Sequence, residues 1–177
     1  LSPLGVPKSL SDSSFGFEYG NYNQLEKITN KYSIGVIKME VCRNSQPNIK
    51  FLKQVRKLAS KKKIILIFDE CTTGFRQSYG GIHKSIGINP DMAILGKALG
   101  NGYPITAVLG KEEIMDAARN SFMSSTFWSE RIGPTAGIKT LEIMEKNKTW
   151  LKITSLGKKL INIWKKLAAR HKLNLVI

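Results

Sequence analysis

The chain has 177 residues, 42% hydrophobic and 23% charged, with 28 Lys and Arg against 13 Asp and Glu for a formal net charge of +15. That hydrophobic content supports a packed core and excludes a disordered chain, and the absence of any apolar run of about 18 residues excludes a membrane-spanning helix. Two widely spaced cysteines, Cys42 and Cys71, exclude a disulfide framework or a cysteine metal site and point to a reducing, cytoplasmic setting.

The positive charge is concentrated in residues 50–63 and 139–172, mostly as Lys at helical spacing opposite apolar positions. This pattern reads as solvated helix faces rather than as a nucleic-acid surface.

Residues 1–20 carry Pro3, Pro7, a serine-rich run, Gly16 and Gly20, and are expected to be loop. They contain no basic and apolar leader, and they lack an initiating Met, so the sequence is expected to begin inside a longer protein. Residues 22–31 predict a short helix with Leu25 and Ile28 on one face. The β-rich residues 34–39 predict a strand ending at Glu40, followed by a loop. From 48 to 62, the spacing of Ile49, Leu52, Val55 and Leu58 predicts an amphipathic helix. Residues 64–68 are a continuous apolar run, the mark of a strand covered on both faces in a parallel sheet.

A polar, glycine-containing loop spans 72–81, and 83–86 predict a helical turn. Residues 91–95 and 105–109 predict two more strands. Residues 111–119 predict a helix with acidic residues in its first turn, where the helix dipole favours them. Residues 121–131 read as a loop of small and aromatic residues, and 133–146 and 150–171 as long helices. Residues 173–177 are expected to open a further strand. Strands alternating with helices define an α/β fold.

Two apolar runs deliver chemistry to the same sheet edge. The first ends in Asp69 and the second in Gly96–Lys97, ahead of a glycine-rich tail. Ligands of open α/β sheets bind beyond the carboxyl ends of the strands. A lysine amine beside a carboxylate suits an aldehyde cofactor with a basic ring nitrogen, namely pyridoxal phosphate: the amine forms a Schiff base, and the carboxylate keeps the ring protonated. Glu40 ends a strand at the same edge and is a further candidate. Arg76 is read either as a ligand for a substrate carboxylate or as half of a structural salt bridge. Glu70 is expected to serve as a structural hydrogen-bonding group. His83 and His171 have no evident partners and are expected to be exposed. Cys71 has no nearby base that would make it a nucleophile.

The run IFDECTTGFR, then YGG, then PDMAILGKALGNGYPITAVLG, resembles the signature of class III pyridoxal-phosphate aminotransferases, a family that includes glutamate-1-semialdehyde aminomutase. The resemblance covers about residues 36–141. It implies the second half of a fold-type-I large domain, a mostly parallel sheet flanked by helices, over residues 1–135. Residues 136–177 would be connecting helices and the start of a C-terminal small domain. It further implies Lys97 as the Schiff-base lysine and Asp69 as the partner of the pyridinium nitrogen. Cys71 stands where the family usually has a Val packed on the cofactor ring, and Thr72 where many members have Gln or Met near the ring hydroxyl. Thr126 resembles the threonine that donates to the cofactor phosphate of the neighbouring subunit, which implies a homodimer with a shared site. Gly100 and Gly102 would allow a tight turn beyond the lysine.

The implied activity is amino transfer between an amine or amino acid and a carbonyl acceptor, both small molecules. Intramolecular transfer of the aminomutase type is a second possibility, and a non-catalytic remnant of the fold a third. Residues 124–133 look more like sugar-nucleotide or surface-polysaccharide members of the family than like the aminomutase. The family's phosphate-cradling turn and its ring-stacking aromatic are not found in residues 1–33, so the chain is expected to be a fragment, inactive alone.

Overall fold

A computed structural model describes residues 4–11, 13–43, 45–123, 126–127 and 129–176. Residues 1–3 and 12 of the expected N-terminal loop lie outside them, as do Asn44 of the loop after the first strand, residues 124, 125 and 128, and Ile177 of the expected last strand.

Among the described residues, four strands form one sheet in the spatial order β1 (Val36–Glu40), β2 (Ile65–Asp69), β3 (Met92–Leu95) and β4 (Ala107–Gly110). The first three are parallel, and β4 runs antiparallel to β3. Parallel neighbours need a long crossover. The segment 96–106 contains no crossover helix, so the chain returns beside β3 in the opposite sense. The helices are α1 (Tyr22–Lys31), α2 (Ile49–Lys62), α3 (Ile82–Ile86), α4 (Glu112–Ala118), α5 (Ile132–Asn147) and α6 (Thr149–Arg170).

Asparagine caps start the first two helices. Asn21 accepts a hydrogen bond from the Gln24 N–H, and Asn48 accepts one from the Phe51 N–H, each at 3.1 Å. The apolar face of α2 (Phe51, Leu52, Val55, Leu58 and Ala59) is then buried against Ile37, Met39, Leu66 and Phe68 of the sheet. Each of the larger of these side chains contributes about 1.5–3 kcal/mol by leaving water. A second cluster of Phe75, Leu95, Leu99 and Met144 joins the end of β3 to α5.

The expectation that β2 is covered on both faces needs correction. Leu66 and Phe68 are fully buried, whereas Ile65 and Ile67 are only half-buried. Among the described residues, helices cover one face of the sheet. The other face carries Val36, Lys38 and Glu40 from β1, Ile65, Ile67 and Asp69 from β2, and Met92 and Ile94 from β3. The expected strand at residues 173–177 is also absent over 173–176. A strand needs a ladder partner, and no described strand lies beside it. Helix α6 turns most of its apolar side chains outward: Leu151, Leu156, Ile163 and Trp164 are exposed and only Ala168 is buried. No described helix is long and apolar enough to cross a membrane.

Asp91 fastens the layers together. Its Oδ2 accepts from Arg56 of α2 at 2.8 Å and from the Leu66 N–H of β2 at 2.9 Å, and its Oδ1 lies 2.7 Å from Lys111 Nζ, just before α4. Burial alone would raise this carboxyl. The Lys111 ammonium, the Leu66 N–H and the Arg56 guanidinium outweigh it and hold the pKa at about 2 instead of 3.8. A depressed carboxyl stabilises the fold above its unfolded pKa, and that stability is lost as pH falls through the folded value. The stability gap between wild type and Asp91→Asn is therefore expected to narrow by about 2 kcal/mol from pH 4 to pH 2, read from urea denaturation midpoints. A gap that stays constant over that window would show that the ion pairs do not carry the stability.

Candidate active site

β2 and β3 are in register, with Asp69 opposite Ile94, and the Glu70 N–H donates to Ile94 O at 2.9 Å. The two strand ends are thereby level, and the residues just beyond them share one edge. Leu95 and Leu99 are both buried in the second cluster and pull the chain down on either side of Lys97. Between them, Gly96 is extended and Lys97–Leu99 form a single 3-10 turn. Lys97 adopts a left-handed φ of 44°. That conformation costs a non-glycine residue about 1 kcal/mol and persists only where the surroundings impose it. Here the imposing contacts are the buried leucines and the N–H groups of Gly100 and Asn101, both of which donate to Lys97 O. Gly102, at φ 111°, completes the turn in a conformation that favours glycine.

The Lys97 ammonium donates to the Thr72 hydroxyl at 2.7 Å. Thr72 belongs to the turn that leaves β2, closed by the Gly74 N–H donating to Glu70 O at 2.7 Å. Asp69 Oδ1 accepts from the Cys71 N–H at 3.2 Å, which orients the carboxylate, and its Oδ2 lies 3.1 Å from Lys38 Nζ. Cys71 Sγ sits against Gly96, where a built Cβ would lie only 2.7 Å away. The structure therefore joins Asp69, Cys71, Thr72 and Lys97 through adjacent strand ends. Thr126 is exposed in the loop before α5 and makes no hydrogen bond among the described residues to the other four.

Glu40 is the register partner of Asp69. Its Oε1 lies 3.3 Å from Arg43, whereas its Oε2 is buried without a hydrogen-bond partner among the described residues. Arg76 forms no ion pair among the described residues. Its Nε donates to Thr72 O at 3.3 Å, so the expected structural salt bridge is not found there.

Glu70 is fully buried and takes the structural role expected of it. Its carboxylate accepts from the Ile82 N–H at 2.5 Å, the His83 N–H at 3.0 Å and Thr73 Oγ1 at 3.2 Å, and Oε1 lies 2.5 Å from His83 Nδ1. A carboxylate has only acceptors, which assigns the imidazole proton to Nδ1. Burial would raise the Glu70 carboxyl, but the hydrogen bonds from His83 and from the Ile82 N–H outweigh it and hold it below the ordinary value. The expectation of an exposed, unpartnered His83 is thus wrong: its side chain is 13% exposed and is tied to Glu70, thirteen residues earlier. No spacing rule pairs those positions, since the intervening loop brings them together. His171 is exposed at the end of α6, as expected.

Both cysteines are free. Burial pushes the Cys42 thiol up, and the Glu70 and Glu40 carboxylates add to the effect, which makes it a poor nucleophile. No group of three metal-ligating side chains occurs among the described residues.

The family model for class-III aminotransferases matches residues 44–176. The chain belongs to this family. Over 98% of its length it is 36% identical to the glutamate-1-semialdehyde 2,1-aminomutase of Natranaerobius thermophilus, covering 42% of that protein. It is 37% identical over 88% of its length to the 3-aminobutyryl-CoA aminotransferase of Cloacimonas acidaminovorans, covering 40% of it. The PLP internal aldimine form of the FumI protein from Sphingopyxis sp. MTA144 superposes on 92% of the chain with a TM-score of 0.87 at 26% identity, covering 41% of that structure. The fold is the fold type I of these enzymes, and the chain spans about 40% of the length of the curated relatives it matches.

The packing of Cys71 on Gly96 gives a direct test. A Gly96→Ala methyl would meet Cys71 Sγ at 2.7 Å and Thr106 Cγ2 at 3.1 Å. Overpacking of this kind costs about 1–3 kcal/mol. The expected outcome is a loss of that size in thermal or urea denaturation, with about half recovered in Gly96→Ala/Cys71→Ala. Additive losses in the double variant would show that the two residues do not press on each other.

Proposed function

We propose that the protein carrying this chain is a pyridoxal-phosphate-dependent aminotransferase that moves an amino group between a small amine or amino acid and a carbonyl acceptor. The observation that supports this reading best is Lys97: an amine held at the end of β3 by the Thr72 hydroxyl, level with the Asp69 carboxylate at the end of β2. The donor set suits the cofactor, offering an amine for its aldehyde and a carboxylate for its ring nitrogen. The space at Gly96, which a Cβ would fill, keeps Cys71 close under the lysine turn. When bound, pyridoxal phosphate supplies the aldehyde that links to an amine and the ring that draws electrons from the substrate's α-carbon.

In this reading Lys97 holds the aldehyde end and Asp69 the ring nitrogen, Cys71 packs on the ring, and Thr72 serves the polar groups beside it. Lys97 Nζ also carries the proton that moves during transfer, a role that contributes roughly 10²–10⁴-fold in rate. Thr72 Oγ1, as its acceptor, fixes the direction in which the amine points. The Cys71 N–H fixes the Asp69 carboxylate in the same way. Thr126 is assigned to the phosphate of a neighbouring subunit, which makes a homodimer the working form. Residues 1–135 belong to the cofactor-binding domain in this reading, and 136–177 lead into a small domain, with α5 continuous across 135 and 136. The two free thiols favour a reducing, cytoplasmic location.

Two measurements on the protein carrying this sequence test the reading. Borohydride reduction followed by peptide mass mapping is expected to fix the pyridoxyl group on Lys97. Lys97→Ala is expected to lose the visible absorbance of the bound cofactor and roughly 10³-fold in turnover. Label at another lysine, with the absorbance intact in Lys97→Ala, would overturn the assignment.

The 36% identity to an aminomutase supports intramolecular transfer as a second reading. Turnover of glutamate 1-semialdehyde without an added amino donor would select the mutase. An absolute requirement for a separate donor and acceptor would select the aminotransferase.

A further inference from the structure

Strand β1 reads VIKME, with Ile37 and Met39 in the core and Val36, Lys38 and Glu40 on the opposite face. The register sets Lys38 beside Ile67 and Glu40 beside Asp69, and it continues across the sheet from Ile67 to Met92 and from Asp69 to Ile94. Lys38 therefore rises from a patch formed by Val36, Ile67, Met92 and Ile94. Its one ion-pair partner among the described residues is Asp69. The contact is diagonal, between positions two residues out of step on neighbouring strands, a separation that a long side chain spans.

The accounting at Asp69 is tight. Oδ1 takes the Cys71 N–H at 3.2 Å, and Oδ2 faces the Lys38 ammonium at 3.1 Å. A protonated ring nitrogen seeking this carboxylate meets an oxygen already turned to a cation. The neighbouring carboxylate offers the ammonium another seat. Glu40 Oε2 is buried and unpartnered among the described residues, on the same strand face as Lys38. Two carboxylates side by side on one sheet face repel; Arg43 already meets Glu40 Oε1 at 3.3 Å, which leaves Asp69 and Glu40 Oε2 as the two seats for the Lys38 ammonium.

We propose that Lys38 is a built-in counter-ion that competes with the cofactor's ring nitrogen for Asp69 and so limits cofactor affinity, with Glu40 as its alternative seat. The inference rests on the assignment of Asp69 to the ring nitrogen. Without the cofactor, Lys38 neutralises Asp69. With it, the ammonium turns to Glu40 and the ring nitrogen takes its place. Lys38 is exposed, so the competition is modest and weakens as salt screens it.

The test is a fluorescence titration of the apo-protein, at fixed ionic strength, with pyridoxal and with pyridoxal phosphate. Pyridoxal carries the same ring nitrogen and aldehyde but no phosphate, so it reports the contact without the general attraction of an ammonium for a dianion. Lys38→Met is expected to tighten pyridoxal binding about two- to fivefold, the effect of removing one exposed ion pair. Lys38→Gln, polar and of similar length, is to move in the same direction, so that a folding defect in one variant does not decide the matter. In an Asp69→Asn background, Lys38→Met is expected to leave the dissociation constant unchanged. Unchanged or weaker pyridoxal binding in both Lys38 variants overturns the inference while leaving the Asp69 assignment in place. A gain that survives Asp69→Asn also overturns it. If Asp69→Asn alone leaves binding unchanged, the assignment of Asp69 to the ring nitrogen fails, and the inference with it.

Discussion

The parallel register between β2 and β3 is the constraint on which the site depends. It sets Asp69 opposite Ile94 and so brings two strand ends level. Lys97 and Thr72, twenty-five positions apart, meet at 2.7 Å only because both strands point the same way and stop together. Slipping either strand by one residue would send its side chains to the other face. Asp69 would then point into the helical layer. The Asp91 network clamps this register from the far end: the carboxylate before β3 binds the Leu66 N–H of β2, while Arg56 and Lys111 fasten it to the helical layer.

The lysine is presented by packing. Leu95 and Leu99 are buried on either side, and the short turn between them leaves Lys97 in a left-handed conformation. The strain is small and local, and it sits at the one residue whose amine the reading requires. Cys71 and Gly96 belong to the same arrangement, since the thiol lies only 2.7 Å from where a methyl on Gly96 would be. The floor of the lysine turn and the wall of the Asp69 turn are therefore one contact. On the other side of the Asp69 turn, Glu70 gathers the Ile82 and His83 N–H groups and the His83 imidazole, and so anchors the far end of the 71–81 loop to β2.

Much of this was legible in the sequence. The helical spacing of Leu52, Val55 and Leu58 marked α2, and those residues are its buried face. The apolar runs before Asp69 and Gly96 marked β2 and β3 within a residue of their bounds. Covering of both faces of β2 is not found among the described residues. A continuous run of Ile and Leu shows what a strand can bury, whereas its burial depends on what packs there, and the described helices lie on one side. His83 was misread because its partner is a buried carboxylate across a loop. Residues 173–177 have the composition of a strand, but over 173–176 no described neighbour supplies a ladder. Lys38 alternates with the core residues Ile37 and Met39 and so lies on the open sheet face, where the register brings it within 3.1 Å of Asp69.

The sequence by itself determined the elements and the inventory. Apolar periodicity is a local property of the chain, and it set which residues form strands and which charged or small residues follow their ends. Tertiary structure alone decided who meets whom. The Lys97–Thr72, Asp69–Lys38 and Glu70–His83 pairs, and the unpartnered Glu40 Oε2, are all products of strand register and loop closure. Those depend on contacts between segments distant in the chain, and no local pattern encodes the distance between two side chains that only a shared sheet edge brings together.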